Sequence, residues 1–246
     1  MQLLLIRHGE SENNHLAGRL EHAEYMRTRT SDPELTGRGR AQAQALASYL
    51  SGERSAAVRP GGVGRFGITE VHCSPMLRAL QTAGPFVEAL GLKARTWVDI
   101  HEQGGLFTGD PDTPDVLGHG GLTLSAFARD HPHIEPGTDI TDDGWWTGAW
   151  EDLPTSQRRA ERVAETLRER ARQVERTGET AVLALVSHGG FLDSLLKELL
   201  GLGQQQQLFY FLNNTGMSGV DYTPDGVTEL RFHNVTEHLG SDLITK

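Results

Sequence analysis

Leu3-Leu4-Leu5-Ile6-Arg7-His8-Gly9-Glu10 is an apolar run that ends in an arginine, a histidine and a turn. Ala181-Val182-Leu183-Ala184-Leu185-Val186-Ser187-His188-Gly189-Gly190 repeats the arrangement far downstream. Short continuous apolar runs bounded by turn residues are the pattern of strands buried on both faces. The first strand is read as Leu3 to Ile6 and the second as Ala181 to Val186, each delivering a histidine to its carboxyl end. Open α/β sheets place ligands at that end, where helix N-termini and loop amides face an anion. Two histidines brought together there, with an arginine beside the first, point to chemistry on a phosphoryl group.

Length and charge set the limits. The 246 residues suffice for one domain over 1–246, with a substantial insert at about 103–154. A formal net charge of -10 disfavours non-specific nucleic-acid binding, which needs a basic surface. The single cysteine, Cys73, excludes an intrachain disulfide framework and reads as a small buried side chain. Met1-Gln2 leads straight into the first strand, with no basic leader and no apolar stretch of about 18 residues. A soluble cytoplasmic protein without membrane contact is the expectation.

Strands and helices alternate along the chain. Residues 9–33 read as a polar loop. Thr36 is a plausible N-cap for a helix to about Leu50, whose Ala43, Leu46, Ala47 and Leu50 fall on one face. Residues 51–67 read as a glycine-rich exposed connection and Ile68 to Cys73 as a strand. Pro75 suits a first helical turn, and Gly84-Pro85 interrupts and kinks the helix that follows. A short strand near Arg95 to Val98 leads to Ile100-His101-Glu102. A long helix is expected over Ser156 to Arg176, and another from about Phe191 to Leu200. Strands are expected at Leu208–Leu212, Met217–Tyr222 and Val227–His233, with Thr223-Pro224-Asp225-Gly226 turning between the last two.

The chemistry can be assembled residue by residue. His8 is the candidate nucleophile, since a neutral imidazole can attack phosphorus and split phosphoryl transfer into two steps. Arg7 offers a rigid fork of donors to phosphate oxygens. Arg78, one turn into the helix after Ser74-Pro75, reaches the same crevice. His188 adds a second cationic or hydrogen-bonding contact, and together these groups stabilise the equatorial oxygens. Glu102 would donate a proton to the leaving oxygen and then activate water. Taken singly, each has a plainer reading: His8 as a satisfied loop residue, Arg78 as a helix-surface residue, Glu102 as one acid among many. Their order, each at an element end, favours the catalytic reading.

These islands resemble the histidine phosphatase superfamily, also called the phosphoglycerate mutase-like family. The matching segments are Arg7-His8-Gly9-Glu10-Ser11 with Asn14, Leu35-Thr36-Gly37-Arg38-Gly39 with Gln42-Ala43, and Ser74-Pro75-Met76-Leu77-Arg78-Ala79-Leu80-Gln81-Thr82-Ala83. Glu102 with its glycines, Ser187-His188-Gly189-Gly190 and Asn213-Asn214-Thr215-Gly216 complete them. The resemblance implies an α/β fold: a three-layer α/β/α sandwich with a mainly parallel central sheet and an inserted cap or long-loop region. It implies phosphorylation of His8, a phosphate pocket of Arg7, Arg78 and His188, Glu102 as acid/base and Asn14 as a further polar contact. No metal or organic cofactor is implied. The expected partner is a small phosphorylated substrate; no oligomeric state is indicated.

The insert matches nothing specific. From Asp99 to Asp152 there are twelve Asp plus Glu against one Arg129. Only Leu122 to Phe127 reads as clearly helical. His131-Pro132-His133 matches no established zinc spacing. Trp145, Trp146 and Trp150 read as packing the insert on the core or as lining the pocket mouth, the first pair looking exposed. Family mutases resemble one another in a tyrosine and extra basic residues after the catalytic glutamate. Gln103 to Phe127 has no Tyr, Lys or Arg, which favours phosphomonoester hydrolysis over a mutase-like phosphotransferase. A non-catalytic scaffold that binds a phosphorylated ligand is the remaining alternative.

Overall fold

The computed structural model describes residues 1–52, 62–113, 115–223 and 225–246. Strand β1 covers Gln2–Arg7. Two short helices follow, α1 (Glu12–Ala17) and α2 (His22–Thr28), then α3 (Gly37–Leu50). Strand β2 (Glu70–Cys73) leads to α4 (Leu77–Leu90), β3 (Ala94–Thr96) and a single 3-10 turn at Val98–Ile100. Next come β4 (Phe107–Thr108), β5 (Leu117–Gly118), α5 (Leu124–Asp130) and β6 (Ile134–Glu135). The remaining elements are α6 (Leu153–Thr177), β7 (Val182–Ser187), α7 (Gly189–Leu199), β8 (Met217–Tyr222) and β9 (Thr228–Val235).

Seven strands form one sheet in the order β6-β3-β2-β7-β1-β8-β9. β1 and β7 pair in parallel register from Gln2↔Val182 to Arg7↔Ser187. β2, β3 and β6 continue the sheet in parallel, whereas β8 pairs antiparallel with β1 and β9 antiparallel with β8. The period of two in a strand explains the two-sided core. Leu4 and Ile6 pack with Leu46, Leu80 and Phe86 of α3 and α4. Leu3 and Leu5 face the other way, onto Val163, Leu167, Leu192 and Leu195 of α6 and α7. The result is the expected three-layer α/β/α arrangement.

Several boundaries differ from the sequence reading. The polar loop at 9–33 holds α1 and α2. Ser11 caps α1 in a reciprocal box with Asn14, so a polar segment becomes helical without an apolar face. The helix after Ser74-Pro75 begins at Leu77, not at the proline, and it runs through Pro85 without ending there. Leu208–Leu212 is not a strand. Tyr210 N donates to Asp193 Oδ1 at 2.8 Å and Leu212 O accepts from Arg7, so side chains take the backbone bonds a ladder would need. Residues 53–61 of the expected 51–67 connection, and Pro224 of the expected turn, lie outside the described residues.

The insert is sewn into the sheet and core. β6 pairs with β3, and Trp145 joins Leu106, Phe127, Ile134 and Ile140 in the core on the α4 side. Trp145 is buried, and Trp146 packs edge-on to it and to His101. The sequence suggested an exposed pair; instead Trp145 is buried and Trp146 half-buried, while Trp150 is exposed.

Candidate active site

Parallel register brings the ends of β1 and β7 level, so His8 and His188 leave adjacent central strands at the same end. Their ring centroids are 5.0 Å apart. His8 Nδ1 lies 2.6 Å from Gly9 O. A carbonyl only accepts, so Nδ1 carries the proton and the neutral ring keeps its lone pair on Nε2. Arg78 Nε donates to that Nε2 at 3.1 Å. Burial, reinforced by the charges of Arg78 and Arg7, holds His8 well below its ordinary value of 6.5. The imidazole is neutral.

Backbone proximity supports this turn. Thr36 Oγ1 donates to Glu10 Oε1 at 2.7 Å while capping α3 through Gly39 N. A Cβ on Gly39 would come 2.0 Å from Glu10 O, so only glycine lets the start of α3 lie against the turn.

Two guanidinium groups flank the ring. Arg7 Nη1 donates to Leu212 O at 2.6 Å, and its buried Nε has no partner among the described residues. Burial, with help from the charge of Arg78, lowers the Arg7 pKa to about 10, against the opposing pull of Glu102. Arg78, on α4, is buried, and burial lowers its pKa as well. Its Nη1 stands 3.9 Å from Asp32 Oδ1, which accepts from Leu77 N at 2.9 Å in the first turn of α4. Burial raises the Asp32 carboxyl to about 6, outweighing Arg78 and the Leu77 bond. A separation of 3.9 Å is long for an ion pair, which is why burial prevails.

His188 Nε2 lies 2.8 Å from Ser74 Oγ, and its buried Nδ1 has no partner among the described residues. Burial first, then Arg78 and His8, holds its pKa well below 6.5. That direction favours the hydrogen-bonding reading over the cationic one. Glu102 sits at the N-terminus of α7. Its Oε1 accepts from Gln103 N and Phe191 N at 2.9 Å, and its Oε2 from Gly190 N at 3.2 Å. A Cβ on Gly190 would lie 2.9 Å from Oε1, so the glycine permits this approach. Asn14 Oδ1 serves the α1 cap and accepts from Asn214 Nδ2 at 3.4 Å.

Five of the six sequence-predicted residues, Arg7, His8, Asn14, Arg78 and Glu102, line one cavity of about 250 Å³. His188 does not line it but stands fully buried against the His8 ring. A wider groove of about 590 Å³ against Trp97, Leu167 and Leu183 contains none of the six. Tyr25, Met26, Arg29 and Phe107 also line this cavity. Sequence reasoning missed Tyr25, Arg29 and Asp32, all in the stretch taken as a polar loop. The available signal was Ser11-x-x-Asn14, which marks a helix start there. Among the described residues no group of three or more His, Cys, Asp or Glu is placed to hold a metal ion. No helix among them is long and apolar enough to cross a membrane.

Residues 3–235 match the histidine phosphatase superfamily (branch 1). The chain belongs to that superfamily. Solved structures of similar fold include a phosphoserine phosphatase from Entamoeba histolytica, 20% identical, with a TM-score of 0.56 over 97% of this chain and 98% of that one. The alpha-ribazole phosphatase of Shigella flexneri is 22% identical, with a TM-score of 0.59 over 96% of each chain. A mycobacterial glucosyl-3-phosphoglycerate phosphatase is 19% identical, with a TM-score of 0.58 over 97% of this chain and 99% of that one. No curated protein sequence matches the chain significantly. At these identities the neighbours establish the fold. Membership of the histidine phosphatase superfamily rests on the match over 3–235.

Proposed function

We propose that the chain is a metal-independent phosphomonoester hydrolase working through a phosphohistidine on His8. The observation that carries this reading is the neutral His8 imidazole, with its Nε2 lone pair beside two buried guanidinium groups. In the first step His8 Nε2 forms a bond to phosphorus as the ester P–O bond breaks. Glu102 gives its proton to the departing oxygen. In the second step water attacks phosphorus, Glu102 takes the water proton, and the P–N electron pair returns to Nε2. Arg7 and Arg78 neutralise the equatorial oxygens in both steps, where charge is concentrated. Arg7 Nε–H and His188 Nδ1, buried without a partner among the described residues, suit the same oxygens, His188 in the tautomer in which Ser74 Oγ donates to its Nε2. The lack of Tyr, Lys and Arg over Gln103 to Phe127 favours water over a second anionic acceptor in the dephosphorylation step.

The test is rapid quenching with a simple aryl phosphate, followed by mass analysis. Phosphate bound at His8 is expected, and His8→Ala should lose both the adduct and phosphate release. Undiminished turnover in His8→Ala overturns the route, and strong inhibition by EDTA points to metal-dependent chemistry. Glu102→Gln should slow alkyl esters more than aryl esters in single-turnover phosphorylation, because the poorer leaving group needs the proton. Equal rates for an alkyl ester in wild type and variant remove Glu102 from the acid role.

A further inference from the structure

Arg29 is a half-buried cation on the wall of the catalytic cavity. It follows α2, in a stretch whose sequence gives no catalytic motif. Arg38, Arg78 and Arg159 face Glu10, Asp32 and Glu151. Arg29 faces no carboxylate within 4.0 Å among the described residues. It is held by two contacts instead. Nη1 donates to Phe107 O at 2.6 Å, and the guanidinium carbon lies 3.9 Å from the centre of the Phe107 ring. These contacts fix the plane of the fork against β4. They use Nη1 and one face, and they leave the Nε–Nη2 edge without a bond among the described residues. That edge is the side of a guanidinium that takes a carboxylate with two parallel hydrogen bonds.

The neighbourhood favours an anion there. Arg29 is near enough to Arg78 for its charge to weigh on that group, and Tyr25 stands in the same wall. A cation near Arg78 with no carboxylate of its own among the described residues is repelled by that neighbour, and a ligand anion relieves the repulsion. The cavity, at about 250 Å³, falls below the roughly 300 Å³ where pockets for larger ligands begin. Space therefore remains for a small group beyond the phosphate. A fork preset by stacking loses less freedom on binding than a free arginine does.

We propose that Arg29 reads a carboxylate on the substrate, so that the site selects small phosphomonoesters bearing a carboxylate a few bonds from the ester oxygen. The inference rests on the phosphatase reading above.

The test compares kcat/KM for 2-phosphoglycolate and its carboxamide, which match closely in size and differ in charge. Wild type should prefer the carboxylate on the order of tenfold to a hundredfold, the range of a charge-assisted hydrogen-bonded contact. Arg29→Gln should bring the ratio close to one, mainly through KM for the carboxylate. Arg29→Lys should keep part of the preference, because it retains charge but loses the two-pronged edge. A wild-type ratio near one overturns the assignment without any variant, so a misfolded variant does not protect it. A ratio unchanged in Arg29→Gln also overturns it. Phosphate release from neither ester by wild type overturns the phosphatase reading itself. Equal release from both defeats only the role of Arg29.

Discussion

At the residue scale, the state of His8 follows from its neighbours. Gly9 O fixes the proton on Nδ1, and two guanidinium groups with burial keep a second proton away. Its own protonation is thus not the natural origin of an acid limb in the pH–rate profile near 6.5. Asp32 is the nearby group poised to produce one. Its carboxyl is raised to about 6 and faces Arg78, which in turn donates to His8 Nε2. Above that pH the carboxylate steadies the Arg78 fork; below it the partner is neutral. For a fixed substrate, kcat/KM should fall as pH drops through about 6. Asp32→Asn should flatten that step and lower kcat/KM at pH 7 by roughly three- to tenfold, the scale of one charged hydrogen-bond partner. Ionisation of the substrate is common to both enzymes and cancels in the ratio of their profiles. An identical step in the variant assigns it to another group.

At the element scale, the long periodic segments were legible and the short ones were not. α3 and α6 carry apolar residues every three or four positions, and β1 and β7 are continuous apolar runs, so packing and pattern agree. The residues that meet around the cavity were legible because each stands at an element end in a recognisable motif. α1 and α2 have six and seven residues, too few for periodicity, and Arg29 and Asp32 meet Phe107 and Arg78 only through tertiary approach. Leu208 to Leu212 has strand-forming residues, yet contacts with Asp193 and Arg7 override that propensity. The buried pair Glu151–Arg159 shows why the insert end matters. Arg159 holds both oxygens of Glu151 at 3.0 and 2.5 Å and donates to the carbonyls of Asp99 and His101, just before Glu102. Glu151→Ala leaves Arg159 buried without its counter-ion. The expected loss is about 3–5 kcal/mol in denaturant unfolding, the cost of breaking one side of such a pair. A loss below about 1 kcal/mol would mean that water replaces the carboxylate.

At the scale of the whole molecule, the sheet order places β7 and β1 at its centre, and the helices that flank them bring α7 and α4 N-termini to one end. The same packing buries several imidazoles in their neutral form. His8 and His188 are held well below 6.5, and burial lowers His238 to about 4. An unfolded chain binds protons on these rings as pH falls below about 6.5, whereas the native chain resists them. Stability rises with pH wherever the unfolded state binds more protons, so these groups contribute stability that is present above 6.5 and lost as pH falls through their lowered values. Asp32 has the opposite sign. Its carboxyl is raised from 3.8 to about 6, so its contribution is present below 3.8 and lost as pH rises through 6. One carboxyl opposes at least three imidazoles, and the imidazoles prevail. The thermal midpoint should therefore fall between about pH 7 and pH 5, a change followed by circular dichroism. A flat or rising midpoint over that range would refute the buried neutral rings. His8→Ala should lessen the slope, because the variant lacks one of the rings whose protonation the fold resists.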